Sequence, residues 1–548
     1  MHTQVIHRTW RQTLAALGAM ALSLAAHADN VAARYHFAGG ADLSRQSNFV
    51  AATKLVELAP TVDFKNLVLQ RFSTFLADGL PSPSASSAAA VRPLLDDWLR
   101  AESVAAVGGA AGGPVSFVVA LRLEPKGSSV WEAALAKAWG SAGQSLSMGG
   151  AHGRSWGQGG TGLWLLAAGE WTILGRGSDL SAVRDDYLAQ IQKQGRPEAA
   201  LQQSCFEADV DWARLEAELP ISLGALKPAR TKIKLMAGPD YIFHMTAQVI
   251  YPEPIAWTSA PWTVPDDIIY DPVVSFTAAQ NIAPFLKTDV FAGLPGDPFQ
   301  QQFYCWAMGE MPFQSYMAWP VPDATNTMRQ LSTQLPEAVG AKLKALDKST
   351  LDWNAKHAQF VWISPSVRLV GPTLSPAKSR GRPFLFAEMF PNSPRKTNAP
   401  SQLFDQFKNR NDIVYYDWEM TGPRLEQWRL LSELLPVVQK ITPAEVQQER
   451  KAFAATTNAP AGQKHIPSFA LADNFMGGIA APMNAITITE VAKTGANELT
   501  VKRRSPFLFT GLEWELLTHW MSHAPSVGHI DPHLLPPPAK MTGPGLPR

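Results

Sequence analysis

The stretch Phe206–Pro220, FEADVDWARLEAELP, constrains this chain most, because its order of elements returns in the second half. In the first instance an alternating run reaches Asp211-Trp212, and a helical pattern follows that stops at Leu219-Pro220. In the second, Ile413–Trp418 (IVYYDW) precedes Pro423–Pro436 (PRLEQWRLLSELLP). Alternation of apolar and polar side chains marks a half-buried strand, and apolar residues three and four apart mark an amphipathic helix. Strand, Asp-Trp, helix and Leu-Pro in the same order predict two related units in tandem. A closing hairpin, Thr231–Met236 with Tyr241–Tyr251, is echoed by Ala485–Val491 with Glu498–Arg504. Strands and helices in mixed order, closed by hairpins, predict an α+β fold with largely antiparallel sheets.

The expected organisation is a first α+β unit over 29–251, a proline-rich linker over 252–272 and a second α+β unit over 273–531. Pro252, Pro254, Pro261, Pro265 and Pro272 fall in the linker, where each removes a backbone donor and fixes φ. The second unit carries an insertion near 437–468. It ends in a helix over Leu512–His523, and the Pro/Gly-rich tail 532–548 is expected to be disordered. Pro81–Arg92, PSPSASSAAAVR, reads as a further linker or mobile loop.

Residues 1–28 have the form of a signal peptide. Arg8 and Arg11 open it, Leu14–Ala26 is apolar, and Ala26-His27-Ala28 is a small-x-small cleavage site. The apolar run is about 13 residues, short of the ~20 that span a bilayer. Export to the periplasm or the cell exterior is expected, with no transmembrane segment in the mature chain. Removing 1–28 lowers Lys+Arg from 48 to 46 against 47 Asp+Glu, a net charge of −1. Such a balance supplies no basic field for a nucleic-acid partner. Charged residues make up 17% of the chain and 18 are tryptophan, which predicts extensive burial. Cys205 and Cys305 are the two cysteines. An oxidising compartment outside the cytoplasm permits a bridge between them, and two separate buried thiols fit equally well.

Two motif matches fail on context. Gly153-Arg154-Ser155-Trp156-Gly157 fits G-x-S-x-G, but a nucleophile elbow needs a strand before the serine and a helix after it. The residues upstream read as loop, and Gln158–Gly162 is too glycine-rich for a helix. Gly157–Gly162 fits G-x-G-x-x-G, yet it opens a strand pattern at Leu163–Leu166 rather than a helix facing pyrophosphate. No catalytic or cofactor-binding residue is assigned.

Glu207, Asp209 and Asp211 alternate on one strand face. A Ca²⁺ or acid/base role competes with the plainer reading of a wet strand face, with Asp211 and Asp417 as shared caps of the helices that follow. The densest metal-ligand set is C-terminal: Glu515, His519 and His523 at helical i, i+4, i+8 spacing, then His529 and His533. Two imidazoles four residues apart meet one ion from a single helix face, so zinc or copper is the cofactor this set would take. The leading expectation is an exported, soluble, non-catalytic binding or structural protein of the cell envelope, its partner an envelope protein or a small ligand. A metal-dependent hydrolase built on the histidine set and a carbohydrate-binding protein are the alternatives.

Overall fold

A computed structural model describes the chain from residue 31 to 522. Outside the described residues lie 1–30, 79, 81–83, 110–114, 125, 158–161, 219–227, 239–241, 257–259, 283–301, 310–313, 348, 364–370, 391–396, 400–401, 439–467 and 523–548. The segments read above as signal peptide and tail fall there, as does most of the insertion.

The described residues form a mixed α/β structure of twelve α-helices around one large antiparallel sheet of twenty strands. Its first wing holds β1 (Val31–Phe37), β2 (Ser103–Gly108), β3 (Ser116–Arg122), β4 (Gln144–Met148), β5 (Ala151–Trp156), β6 (Leu163–Ala168), β7 (Trp171–Arg176), β8 (Ser204–Asp211), β9 (Arg230–Ala237) and β10 (Phe243–Ile250). The second holds β11 (Val273–Gln280), β12 (Gln302–Met308), β13 (Ser315–Pro320), β14 (Thr350–Asn354), β15 (Gln359–Ile363), β16 (Thr373–Ser379), β17 (Arg382–Glu388), β18 (Ile413–Met420), β19 (Ile486–Lys493) and β20 (Glu498–Ser505).

Strand neighbours in the first wing run β4-β5-β6-β7-β3-β2-β1-β8-β9-β10. In the second they run β14-β15-β16-β17-β13-β12-β11-β18-β19-β20. The two wings are joined where β10 pairs with β20, from Phe243 opposite Ser505 to Ile250 opposite Glu498. Two separate sheets were expected. Instead the closing hairpins of both halves pair with each other, which satisfies backbone groups that two free edges would leave open.

Helices cover both faces. In the first wing α4 (Ala85–Arg100) and α5 (Gly127–Trp139) press Leu94, Trp131 and Leu135 onto Ala105, Val119 and Leu121. The opposite face takes α6 (Ser181–Gln194), whose Val183, Tyr187 and Ile191 form an apolar stripe at helical spacing. Part of the segment read as a linker at Pro81–Arg92 is thus helical. Its alanines are strong helix formers, and Ser84 caps the helix by accepting the Ser87 N–H at 3.0 Å. The N-cap of α5 is Lys126, in a left-handed conformation. In the second wing α8 (Ala324–Asp347) continues through Pro336 and places Met328 and Leu331 against Trp319 and Leu385.

The chain's beginning and end meet over the seam. Preceding α4, α1 (Gly40–Leu43), α2 (Val50–Glu57) and α3 (Ala59–Asp78) come from the first half. α10 (Thr421–Val438), α11 (Ser468–Ala480) and α12 (Gly511–Ser522) come from the second. Of these, α2, α3, α10, α11 and α12 border a core of Leu55, Phe64, Leu425, Phe475, Ile479 and Phe507. The Phe64 and Phe475 rings stack at 4.6 Å, and burying each is worth about 1.5–3 kcal/mol. Of the region expected to link the units, Trp262 and Ile269 are buried in the second-wing core beside Phe404 and Phe407. Among the described residues, no helix is long and apolar enough to cross a membrane.

Candidate functional site

Followed from partner to partner through β9, β10, β20 and β19, the face that carries Ala208 and Val210 is also the face that carries Asp417 and Glu419. Glu207, Asp209 and Asp211 lie on the other face. The expected equivalence of Asp211 with Asp417 is therefore corrected: the two side chains point to opposite sides of the sheet. The reason is register, because a shift by an odd number of residues turns every side chain over. Two main-chain hydrogen bonds align the two wings by topology. Trp212 N–H donates to Ala229 where α7 (Trp212–Glu218) begins, and Thr421 N–H donates to Ala485 where α10 begins.

On that correspondence, apolar residues of the first wing stand where the second has polar ones. Ala208, Val210 and Leu215 match Asp417, Glu419 and Arg424, and the strand registers match Ala247 with Arg503. The first-wing residues Ala208, Val210 and Leu215 belong to a hydrophobic core. Their counterparts form a cluster of enclosed ionisable groups.

The cluster joins β18, β20, α10 and α12. Asp417 is 8% exposed and Glu419 4%. Asp417 accepts the Thr277 hydroxyl at 2.6 Å, a bond from β11 to β18. Glu419 accepts the Gly511 N–H at 2.6 Å, which ties β18 to the first turn of α12. That turn is a capping box: Glu513 N–H donates to the Thr510 hydroxyl at 3.2 Å, and Thr510 N–H donates back to the Glu513 carboxylate at 2.8 Å. Arg503 completes it with two hydrogen bonds to Glu513, at 2.7 and 2.8 Å. Arg424 donates to Gln427 at 2.8 Å, and Gln427 donates to the Met308 carbonyl at 2.8 Å.

Burial raises the pKa of both Asp417 and Glu419. For Asp417 the Thr277 hydrogen bond and the Arg503 charge oppose the rise, while for Glu419 the neighbouring Asp417 charge adds to it. Burial also pushes the Cys305 thiol up to about 11 and lowers the pKa of the enclosed Arg424 guanidinium. Chemically, this is a pair of carboxyl groups that retain protons where exposed carboxylates are ionised, beside two guanidiniums. The thiol is held in its protonated form, which is a poor nucleophile.

The row Glu207, Asp209, Asp211 is engaged locally. Asp211 accepts the Arg214 N–H at 3.1 Å as the cap of α7. Asp209 pairs with Arg230, and Glu207 with Lys234 at 3.0 Å. Asp417 does not cap the following helix, which begins only at Thr421. Ser155 of the G-x-S-x-G match sits within β5, and the upstream segment read as loop is the β4–β5 hairpin. Gly153 is needed there, since a Cβ would strike the Leu165 carbonyl oxygen. Cys205 and Cys305 are both free.

Of the C-terminal histidine set, Glu515 is buried on α12. His519 belongs to the same helix, with its side chain outside the described residues, as are His523, His529 and His533. No group of three metal-ligating side chains is found among the described residues. The polar cluster went unseen in the sequence because its members come from four separate strands and helices. One local signal was available: Thr510-Gly511-Leu512-Glu513 is a capping-box pattern before an apolar run.

Comparison with protein families, curated proteins and solved structures found no match to this chain.

Proposed function

We propose that this chain is an exported, non-catalytic binding or interaction protein of the cell envelope, built from two related tandem units. The observation that carries the non-catalytic reading is the engagement of the buried carboxylates. Asp417, Glu419 and Glu513 each accept hydrogen bonds that fasten one element to another, from Thr277, Gly511 and Arg503. The cluster positions the helical layer on the sheet, with its thiol kept protonated. Duplication is supported by the identical strand order of the two wings and by the two matching main-chain bonds at the starts of α7 and α10. Export is supported by the pattern of residues 1–28.

Two measurements test the reading. Residues 1–28 fused to a reporter active only outside the cytoplasm should produce signal, and a silent fusion counts against export. Elemental analysis of the purified protein separates the binding reading from the metal-dependent one. Stoichiometric zinc or copper that is lost on His519→Ala would overturn the non-catalytic assignment in favour of a metal centre at the C-terminal histidines.

A further inference from the structure

Among the described residues the sheet ends in two edge strands, β4 and β14, each paired on one side. An edge strand presents unpaired N–H and C=O groups, and proteins that stay monomeric blunt such edges with charge, proline or a bulge. The two edges differ in that respect. β14, Thr350-Leu351-Asp352-Trp353-Asn354, carries Asp352 at its midpoint. Symmetric pairing of two copies centred there would set Asp352 against its own equivalent, and like charges directly opposite are destabilising. β4, Gln144-Ser145-Leu146-Ser147-Met148, has no charge and no proline, and its register to β5 is free of bulges.

β4 is also self-complementary. Antiparallel pairing of two copies about Leu146 places Leu146 against Leu146, and Ser145 of one copy against Ser147 of the other. Leu146 and Met148 are half-buried and pack at the margin of the core beneath α6. A two-fold axis normal to the sheet keeps this face on the same side in both copies. It therefore continues the apolar row across the junction and brings the serine pairs together on the opposite face, a favourable cross-strand arrangement.

We infer that β4 is a homodimerisation edge, on which a second copy of this chain adds antiparallel and in register about Leu146. The inference stands apart from the proposed function, since a binding protein need not be dimeric. A five-residue ladder is small beside the roughly 1,600 Å² of a standard stable interface, so the dimer should dissociate on dilution through the micromolar range.

Sedimentation equilibrium of the purified protein should show twice the chain mass at high concentration, returning to the single-chain mass on dilution. Leu146→Lys, which sets like charges face to face, should remain monomeric throughout. Cross-linking tests the register without relying on that variant's folding. Ser145→Cys protein mixed with Ser147→Cys protein should form an inter-chain disulfide under mild oxidation, because directly opposed strand residues lie within disulfide reach. Either variant alone should form far less. A wild-type protein that is monomeric at every concentration overturns the inference. So does a dimer that survives Leu146→Lys, or a mixture that yields no more cross-link than its separate components.

Discussion

Val210 and Glu419 stand at the same register position in the two wings, two residues before a helix begins, and face the same side of one continuous sheet. Val210 is fully buried in an apolar core, whereas Glu419 is enclosed among charges and hydrogen-bonded to Gly511. The same backbone thus supports an apolar and an ionic solution. Since buried ion pairs are often no more stabilising than hydrophobic packing, the second wing's charges are best understood as specifying where α10 and α12 sit.

The ionic solution should make stability depend on pH. Glu419 has its folded pKa raised to about 8 by burial and by Asp417. Its protonated form is favoured by folding, so its contribution is fully present below the ordinary carboxyl pKa and is lost as pH rises through about 8. Melting temperature should fall between pH 5 and 9 more steeply in the wild type than in Glu419→Gln, whose amide oxygen still accepts the Gly511 N–H. The difference should be on the order of a few kcal/mol at the alkaline end. Parallel curves for the two proteins would contradict this.

Removing Arg503 alone should be costly, because Glu513 would be left buried without its bidentate partner. Arg503→Met is expected to lose about 3–5 kcal/mol in denaturant unfolding. The double variant Arg503→Met/Glu513→Met should lose less than Arg503→Met, and a double-mutant cycle measures the coupling.

Gly153 and Ser155 separate the structural reading of their motif from the enzymatic one. Gly153→Ala should destabilise by about 1–3 kcal/mol or more, as the new methyl is forced against the β6 backbone. Ser155→Ala should leave the unfolding midpoint nearly unchanged.

Both thiols should be silent in the folded protein. Burial pushes Cys205 up to about 12 and Cys305 up to about 11, and the thiolate is the reactive form. A colorimetric thiol reagent at pH 8 should label neither quickly under native conditions and both in denaturant. Rapid native labelling of Cys305 would instead mark an accessible thiol at the cluster.

Asp211 caps α7 through the Arg214 N–H. Asp211→Ala should cost about 1 kcal/mol, and Asp211→Asn much less, because asparagine is an equally good cap.

Local patterns carried much of this fold. Alternation announced the closing hairpins, and the apolar run Leu163–Leu166 announced β6. β2, Ser103–Gly108, offered no alternation because both of its faces are buried by small or apolar side chains. α4 was hidden behind a serine- and proline-rich start, although its alanines favour helix.

By itself the sequence determined which segments pair locally, because side-chain periodicity and turn chemistry act over a few residues. The tertiary structure alone decided that β10 and β20 join the wings into one sheet and that Asp417 faces the side of Ala208 rather than that of Asp211. It also decided that Arg503, Glu513 and Glu419 meet. Those outcomes depend on strand register and on contacts between distant segments, and a slip of one residue, invisible in composition or pattern, reverses which face a side chain occupies.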